Sequence, residues 1–223
     1  MIRLTSHNNI VKMTLNRPSK RNALSLNLIK NMHEKLDEVE ANKTMQAFML
    51  CGEGQSFCAG MDLKGVIDTP VEMKKMLSLL SDATLRIRNL PVPTIAVAQG
   101  AAVGGGCGLM IVCDFAFTHP EAKIGYPEVD IGVCPAVVAP WLIKKIGAGK
   151  ARAMLLAGGT ISGQQSLQAG LATHLCELEK LPSAADEFAT NLCQGSKHAI
   201  AMTKKWLNEI DGSQNTQILK KAA

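Results

Sequence analysis

A chain of 223 residues, with 47% hydrophobic and 19% charged side chains, carries enough apolar material for one sizeable core. Aromatics at 4% are too scarce for base-stacking platforms, and the net charge of +5 fits an anionic, phosphate-bearing substrate and a solvated lysine surface equally well. No apolar stretch approaches the roughly 20 residues needed to span a bilayer. The opening MIRLTSHNN has neither a signal-peptide core nor a transit pattern, so the cytoplasm is expected.

In chain order, Ile2 to Leu15 alternates weakly and turns at His7-Asn8-Asn9, which predicts two strands joined as a hairpin. Arg17 to Asn22 is a polar loop. Leu28, Ile29, Met32, Leu36 and Val39 fall on one helical face. Ala47 to Leu50 is a predicted strand, and Val71 to Leu90 a long amphipathic helix ended by Pro91 and Pro93. Thr94 to Ala98, rich in β-branched residues, reads as a buried strand.

Gly100 to Asp114, GAAVGGGCGLMIVCD, follows that strand and is the stretch around which the chain is organised. Its glycines form a tight turn, and the apolar segment Leu109 to Cys113 predicts a short buried helix. Glycines let another molecule approach the backbone closely, and the start of a helix leaves N–H groups unpaired. The result is a candidate oxyanion or anion site. No G-x-G-x-x-G fits the register and no G-K-[ST] follows, so neither a dinucleotide fingerprint nor a Walker A loop is present. A similar small-residue turn lies upstream, SFCAGMDLKG from Ser56 to Gly65. Together the two turns could bring two backbone N–H groups onto one oxygen.

Beyond the glycines, Phe115 to Thr118 and Lys123 to Tyr126 are predicted strands. Predicted helices cover Val138 to Ile146, Ala151 to Leu156, Ser162 to Ala169, Ala184 to Cys193 and Ala199 to Ile210. Pro140 sits in a first turn, where proline is tolerated. Strand–helix alternation followed by consecutive helices argues for an α/β core with a helical tail. Seven scattered cysteines show no metal-ligand spacing and read as buried free thiols, and no metal is expected. Cys107 has no histidine beside it in sequence, which argues against a thiol nucleophile.

LNRPSKRNAL, SFCAGMDL, GAAVGGGCGL and YPEVDIG occur in the order seen in the crotonase (enoyl-CoA hydratase/isomerase) superfamily, and ISGQQSLQAGLATHL resembles a downstream segment of that family. The resemblance implies a crotonase-like spiral of ββα repeats over residues 1–180, with a C-terminal helical trimerisation region over 181–223. It implies a homotrimer or dimer of trimers. The substrate would be an acyl thioester of coenzyme A, or of an acyl-carrier protein in some branches. No cofactor is implied beyond the coenzyme A of the substrate. The family's two oxyanion donors fall on the backbone N–H groups of Met61 and Gly105, and its second catalytic glutamate on Glu128. Coenzyme A contacts fall on Arg21, Ala59, Asp62 and Leu63, mostly through backbone atoms. The tail after Ala199 is short for the family, so the acyl pocket is expected to be completed by a neighbouring subunit.

One departure bears on the chemistry. Hydratases of the best-known type carry a first glutamate where this chain has Gly108. Two carboxylates can share one water; a single one suffices to carry a proton between two carbons, which is double-bond isomerisation. Gly132 to Gly147, GVCPAVVAPWLIKKIG, is instead more similar to branches acting on methylglutaconyl-type and hydroxymethylglutaryl thioesters, whose members often have glycine at that position. Lys144 and Lys145 are candidates to meet such a substrate's carboxylate. Hydration of a 2-enoyl thioester is the leading expectation. Enoyl isomerisation, hydroxymethylglutaryl-thioester dehydration and non-catalytic binding, including of RNA, stay open. Tyr126 is expected to pack, Asp130 to lie on the surface or support Glu128, His119 to be exposed, and Trp206 and Leu207 to pack in the core or between subunits.

Overall fold

The computed structural model describes residues 1–64 and 69–213. Gly65, the end of the upstream turn, and the last ten residues of the expected helical region lie outside the described residues. In chain order the elements are β1 (Ile2–His7), β2 (Ile10–Leu15), α1 (Leu26–Ala41), β3 (Ala47–Gly52), α2 (Pro70–Asn89), β4 (Thr94–Ala98), β5 (Ala102–Val103) and α3 (Gly105–Ile111). There follow β6 (Phe115–Thr118), β7 (Lys123–Gly125), α4 (Ala139–Ile146), α5 (Ala148–Ala157), β8 (Thr160–Ser162), α6 (Gly163–Ala169), β9 (His174–Leu175), α7 (Leu181–Leu192) and α8 (Lys197–Ile210).

Six strands form one sheet in the order β1-β2-β3-β4-β6-β9, antiparallel only between β1 and β2. The hairpin turns on Asn8 and Asn9, both at positive φ, the conformation that a two-residue turn between twisted strands demands. The central strands are buried on both faces, and successive residues point to opposite sides. Phe48, Leu50, Ala96, Ala98 and Ala116 enter the main core beneath α1 to α4. Ala47, Met49, Ile95, Val97 and Phe117 face Leu181, Ala185 and Ala189 of α7.

α1 starts at Ser25, whose hydroxyl accepts from the Leu28 N–H, and buries the five apolar residues that share its predicted face. α2 stops before Pro91, as the clash of a proline ring with a helical predecessor requires.

A second sheet, β5-β7-β8, stands beside the first. Only β7 was legible in the sequence, as the strand expected over Lys123 to Tyr126; β5 and β8 are two or three residues long and exist only through their partners. The helix after the glycines also begins earlier than expected, at Gly105 rather than Leu109, so the glycines are its first turn. His119 is buried rather than exposed. Gly163, at the start of α6, packs directly on its carbonyl. Trp206 and Leu207 lie on the exposed side of α8 in the single chain. No helix among the described residues is long and apolar enough to cross a membrane.

Candidate active site

Two backbone turns meet at the edge between the sheets. Cys58 and Ala102 form a parallel bridge, with the Cys58 N–H on the Ala101 carbonyl at 2.9 Å and the Val103 N–H on the Cys58 carbonyl at 3.0 Å. Gly106 lies so close to the upstream turn that a β-carbon there would come within 2.4 Å of the Cys58 carbonyl oxygen. Only a residue without a side chain permits this contact.

A second bridge joins Leu24 to Met61. It engages the Leu24 N–H with the Gly60 carbonyl at 2.8 Å and the Asp62 N–H with the Leu24 carbonyl at 3.0 Å. Alternation along the strand turns the Met61 N–H to the opposite side, where it has no acceptor among the described residues. The Gly105 N–H is likewise without an acceptor among them. Gly104 donates to the Gly125 carbonyl at 2.8 Å, whereas Gly105 opens α3 and has no carbonyl one turn behind it. The Met61 side chain packs beside Gly105, with Cγ 3.6 Å from where a β-carbon of Gly105 would lie.

Glu128 arrives from across the small sheet on a 3-10 turn, Pro127–Ile131. That turn is tied at both ends to one residue: the Tyr126 N–H donates to the Gly159 carbonyl at 3.0 Å, and the Gly159 N–H donates to Asp130 Oδ2 at 2.9 Å. Glu128 Oε1 lies over Gly104, and Oε2 is buried with no hydrogen-bond partner. Burial pushes its carboxyl above the ordinary range, opposed in part by its own backbone N–H. Glu128, Met61 and Gly105 line a common cavity of about 30 Å³, with Leu77, Leu80 and the Val133–Val138 strand of loop.

The remaining expected residues fall into place unevenly. Arg21, at positive φ, accepts from the Ala59 N–H at 3.0 Å, and the Leu63 N–H donates to the Met61 carbonyl at 3.0 Å. Asp62 is paired with Arg17 at 2.7 Å. These four residues surround Met61, but the N–H groups of Ala59, Asp62 and Leu63 are already engaged. What they leave for a ligand is carbonyl oxygens and side chains. Arg17, which the sequence did not single out, holds the ribbon together through Asp62 and the Ala23 carbonyl.

Asp130 supports Glu128 through the backbone of Gly159, without approaching its carboxylate. Lys144 and Lys145 are not brought to the site: Lys144 donates to the Asp211 carbonyl and Lys145 to the Cys113 carbonyl at 3.4 Å. Tyr126 is fully buried beside Cys107 and packs, as expected. Burial pushes the Cys107 thiol up to about 12, which removes it as a nucleophile near neutrality.

The residue that sequence reasoning missed is Val138. A β-carbon on Gly108 would come within 2.6 Å of Val138 Cγ1, so valine fills the space a side chain at 108 would need. The departure of the segment GVCPAVVAP from the ordinary pattern was the available signal, but nothing in it points back thirty residues to Gly108.

Residues 5–222 match the family model described as enoyl-CoA hydratase/isomerase. A putative enoyl-CoA hydratase of Thermus thermophilus is 32% identical over 89% of this chain and 80% of its own length. The mitochondrial enoyl-CoA hydratase of Pongo abelii is 31% identical over 96% of this chain and 75% of its own. The fold superimposes on an enoyl-CoA hydratase from Bacillus anthracis with a TM-score of 0.89 and 27% identity, covering 99% of this chain and 88% of that one.

Proposed function

Because the chain belongs to the enoyl-CoA hydratase/isomerase family, we propose that this site adds water across the 2,3-double bond of an enoyl-CoA thioester, or removes it. One observation carries the reading: a buried carboxylate oxygen without a partner shares a small apolar cavity with two residues whose backbone N–H groups have no acceptor among the described residues.

In this reading the N–H groups of Met61 and Gly105 receive the thioester oxygen and hold the negative charge it gains as the enolate forms. Each such donor is worth about 2.7–4 kcal/mol in the transition state. Glu128 takes a proton from water as the water oxygen bonds to C3, and the same proton is then delivered to C2. With one carboxylate, the base and acid roles fall to one group in succession. A carboxyl held above its ordinary range by burial suits both halves of that exchange. Arg21, Ala59, Asp62 and Leu63 would line the path of the coenzyme A moiety.

A second reading rests on Gly108 and Val138. Val138 fills the space a side chain at Gly108 would need, and among the described residues lining the cavity Glu128 is the one carboxylate. That favours a 3-enoyl to 2-enoyl isomerase, in which Glu128 removes a proton from C2 and returns it to C4.

Crotonyl-CoA and 3-hexenoyl-CoA, incubated separately with the protein and with Glu128→Gln, separate the two. Gain of the mass of water from crotonyl-CoA, lost in the variant, supports hydration. Conversion of 3-hexenoyl- to 2-hexenoyl-CoA without water supports isomerisation. Turnover unaffected by Glu128→Gln removes both.

A further inference from the structure

Building on the thioester reading, we propose that Val138 is the specificity-determining residue of the site: it closes the acyl cavity opposite Glu128 and confines the acyl group to a short, uncharged chain. The argument starts from packing. Val138 is 3% exposed and caps the start of α4, where its carbonyl accepts from the Leu142 N–H at 3.0 Å. Its branched side chain has a single torsion and little freedom to yield. Gly108 is fully packed in α3 and does not line the cavity; Val138 stands between. The two positions form a matched pair, in which a side chain absent from 108 is replaced by one reaching in from 138.

The consequence is a small space. About 30 Å³ is room for one group of water or methyl size, beyond which the space opens to solvent. Beside Glu128, its described walls include the apolar Leu77, Leu80, Val133, Val137 and Val138, and no cation is among the described residues lining it. Lys144 and Lys145, the lysines the sequence offered for an acyl carboxylate, are engaged with backbone carbonyls elsewhere. A longer acyl chain would have to displace Val138, and a charged one would be buried without a partner.

The test uses saturated thioesters, which do not undergo hydration, and measures binding by titration calorimetry. Butyryl-, hexanoyl-, octanoyl- and glutaryl-CoA are titrated into the wild-type protein, Val138→Ala and Val138→Ile. For the wild type, affinity is expected to fall about tenfold from butyryl- to octanoyl-CoA, a modest figure for a pocket that rejects added methylenes. Glutaryl-CoA is expected to bind more weakly than butyryl-CoA. Val138→Ala should flatten the length dependence and Val138→Ile steepen it. In a parallel melting series, Gly108→Ala should destabilise the protein alone and less so with Val138→Ala.

Equal wild-type affinity for all chain lengths, or a length profile the Val138 variants leave unmoved, overturns the role of Val138 and leaves the thioester reading standing. Tighter binding of glutaryl-CoA overturns the uncharged class. Wild-type protein that binds none of the four overturns the thioester reading and this inference with it.

Discussion

Glu128 Oε1 lies so close over Gly104 that a β-carbon on Gly104 would sit 2.8 Å from it. Gly104 also holds φ at 55° with ψ at −123°, a region that residues with side chains avoid. Gly104→Ala therefore strains the backbone and pushes the carboxylate out of place. Activity is expected to fall by about 10² or more, as displacements of around 1 Å do. Steady-state kinetics together with a melting curve check this, because the loss of rate should exceed what the loss of folded protein explains.

Glu128→Gln should lower turnover by about 10²–10⁴. In the wild type, α-proton exchange with deuterated water, followed by mass spectrometry on butyryl-CoA, needs the ionised carboxylate. Its rate should fall on the acid side, with a midpoint above the ordinary glutamate range. Stability should run the opposite way. The folded protein holds this proton more tightly than the unfolded chain, so the contribution is complete below the unfolded pKa and disappears as pH rises through the folded one. Glu128→Gln carries no buried charge at neutral pH. Its melting temperature should exceed that of the wild type there, and the gap should close in acid.

Asp130→Ala removes the acceptor of the Gly159 N–H, which fixes the turn carrying Glu128. The lost hydrogen bond should cost about 1 kcal/mol of stability. Because Asp130 does not line the cavity, kcat should fall about tenfold, equivalent to about 1.4 kcal/mol in barrier, with KM little changed. A rise in KM at constant kcat would contradict this positioning role.

Lys204 fastens α8 to the body of the fold. Its ammonium, on a side chain 8% exposed, meets Asp114 Oδ2 at 2.7 Å and the Val92 carbonyl at 2.9 Å. Lys204→Met removes the nearer cation of Asp114, which keeps Arg88 at 3.6 Å and the hydrogen bonds from Thr94, and should destabilise the protein by about 1–3 kcal/mol, measured by denaturant unfolding. The double variant Lys204→Met/Asp114→Asn should recover part of that loss, as coupled neighbours do.

Local patterns carried the reading of the sequence as far as the backbone. The hairpin at Asn8-Asn9, the buried face of α1 and the shape of each glycine turn follow from residues close together in the chain. The position of Glu128 beside the turns was legible because YPE lies in a recognisable order with them. What failed was long-range. Val138 matters through Gly108, thirty residues away; the carbonyl of the buried His119 lies against Gly163; Lys145 bonds to the carbonyl of Cys113 rather than to anything near the cavity. Strands β5, β8 and β9 carry no periodicity of their own, since two or three residues are too few to alternate.

The bridge between Cys58 and Ala102 has one more consequence. It holds the two turns together with backbone atoms alone, while most of the cavity wall beyond Met61 and Gly105 comes from α2 and the loop before α4. The groups that would activate a substrate and those that would choose it are thus separately heritable. Mutations in α2 or in the loop before α4 can remodel what is accepted while leaving the activating geometry in place. Descendants of such a chain can change diet without relearning the reaction.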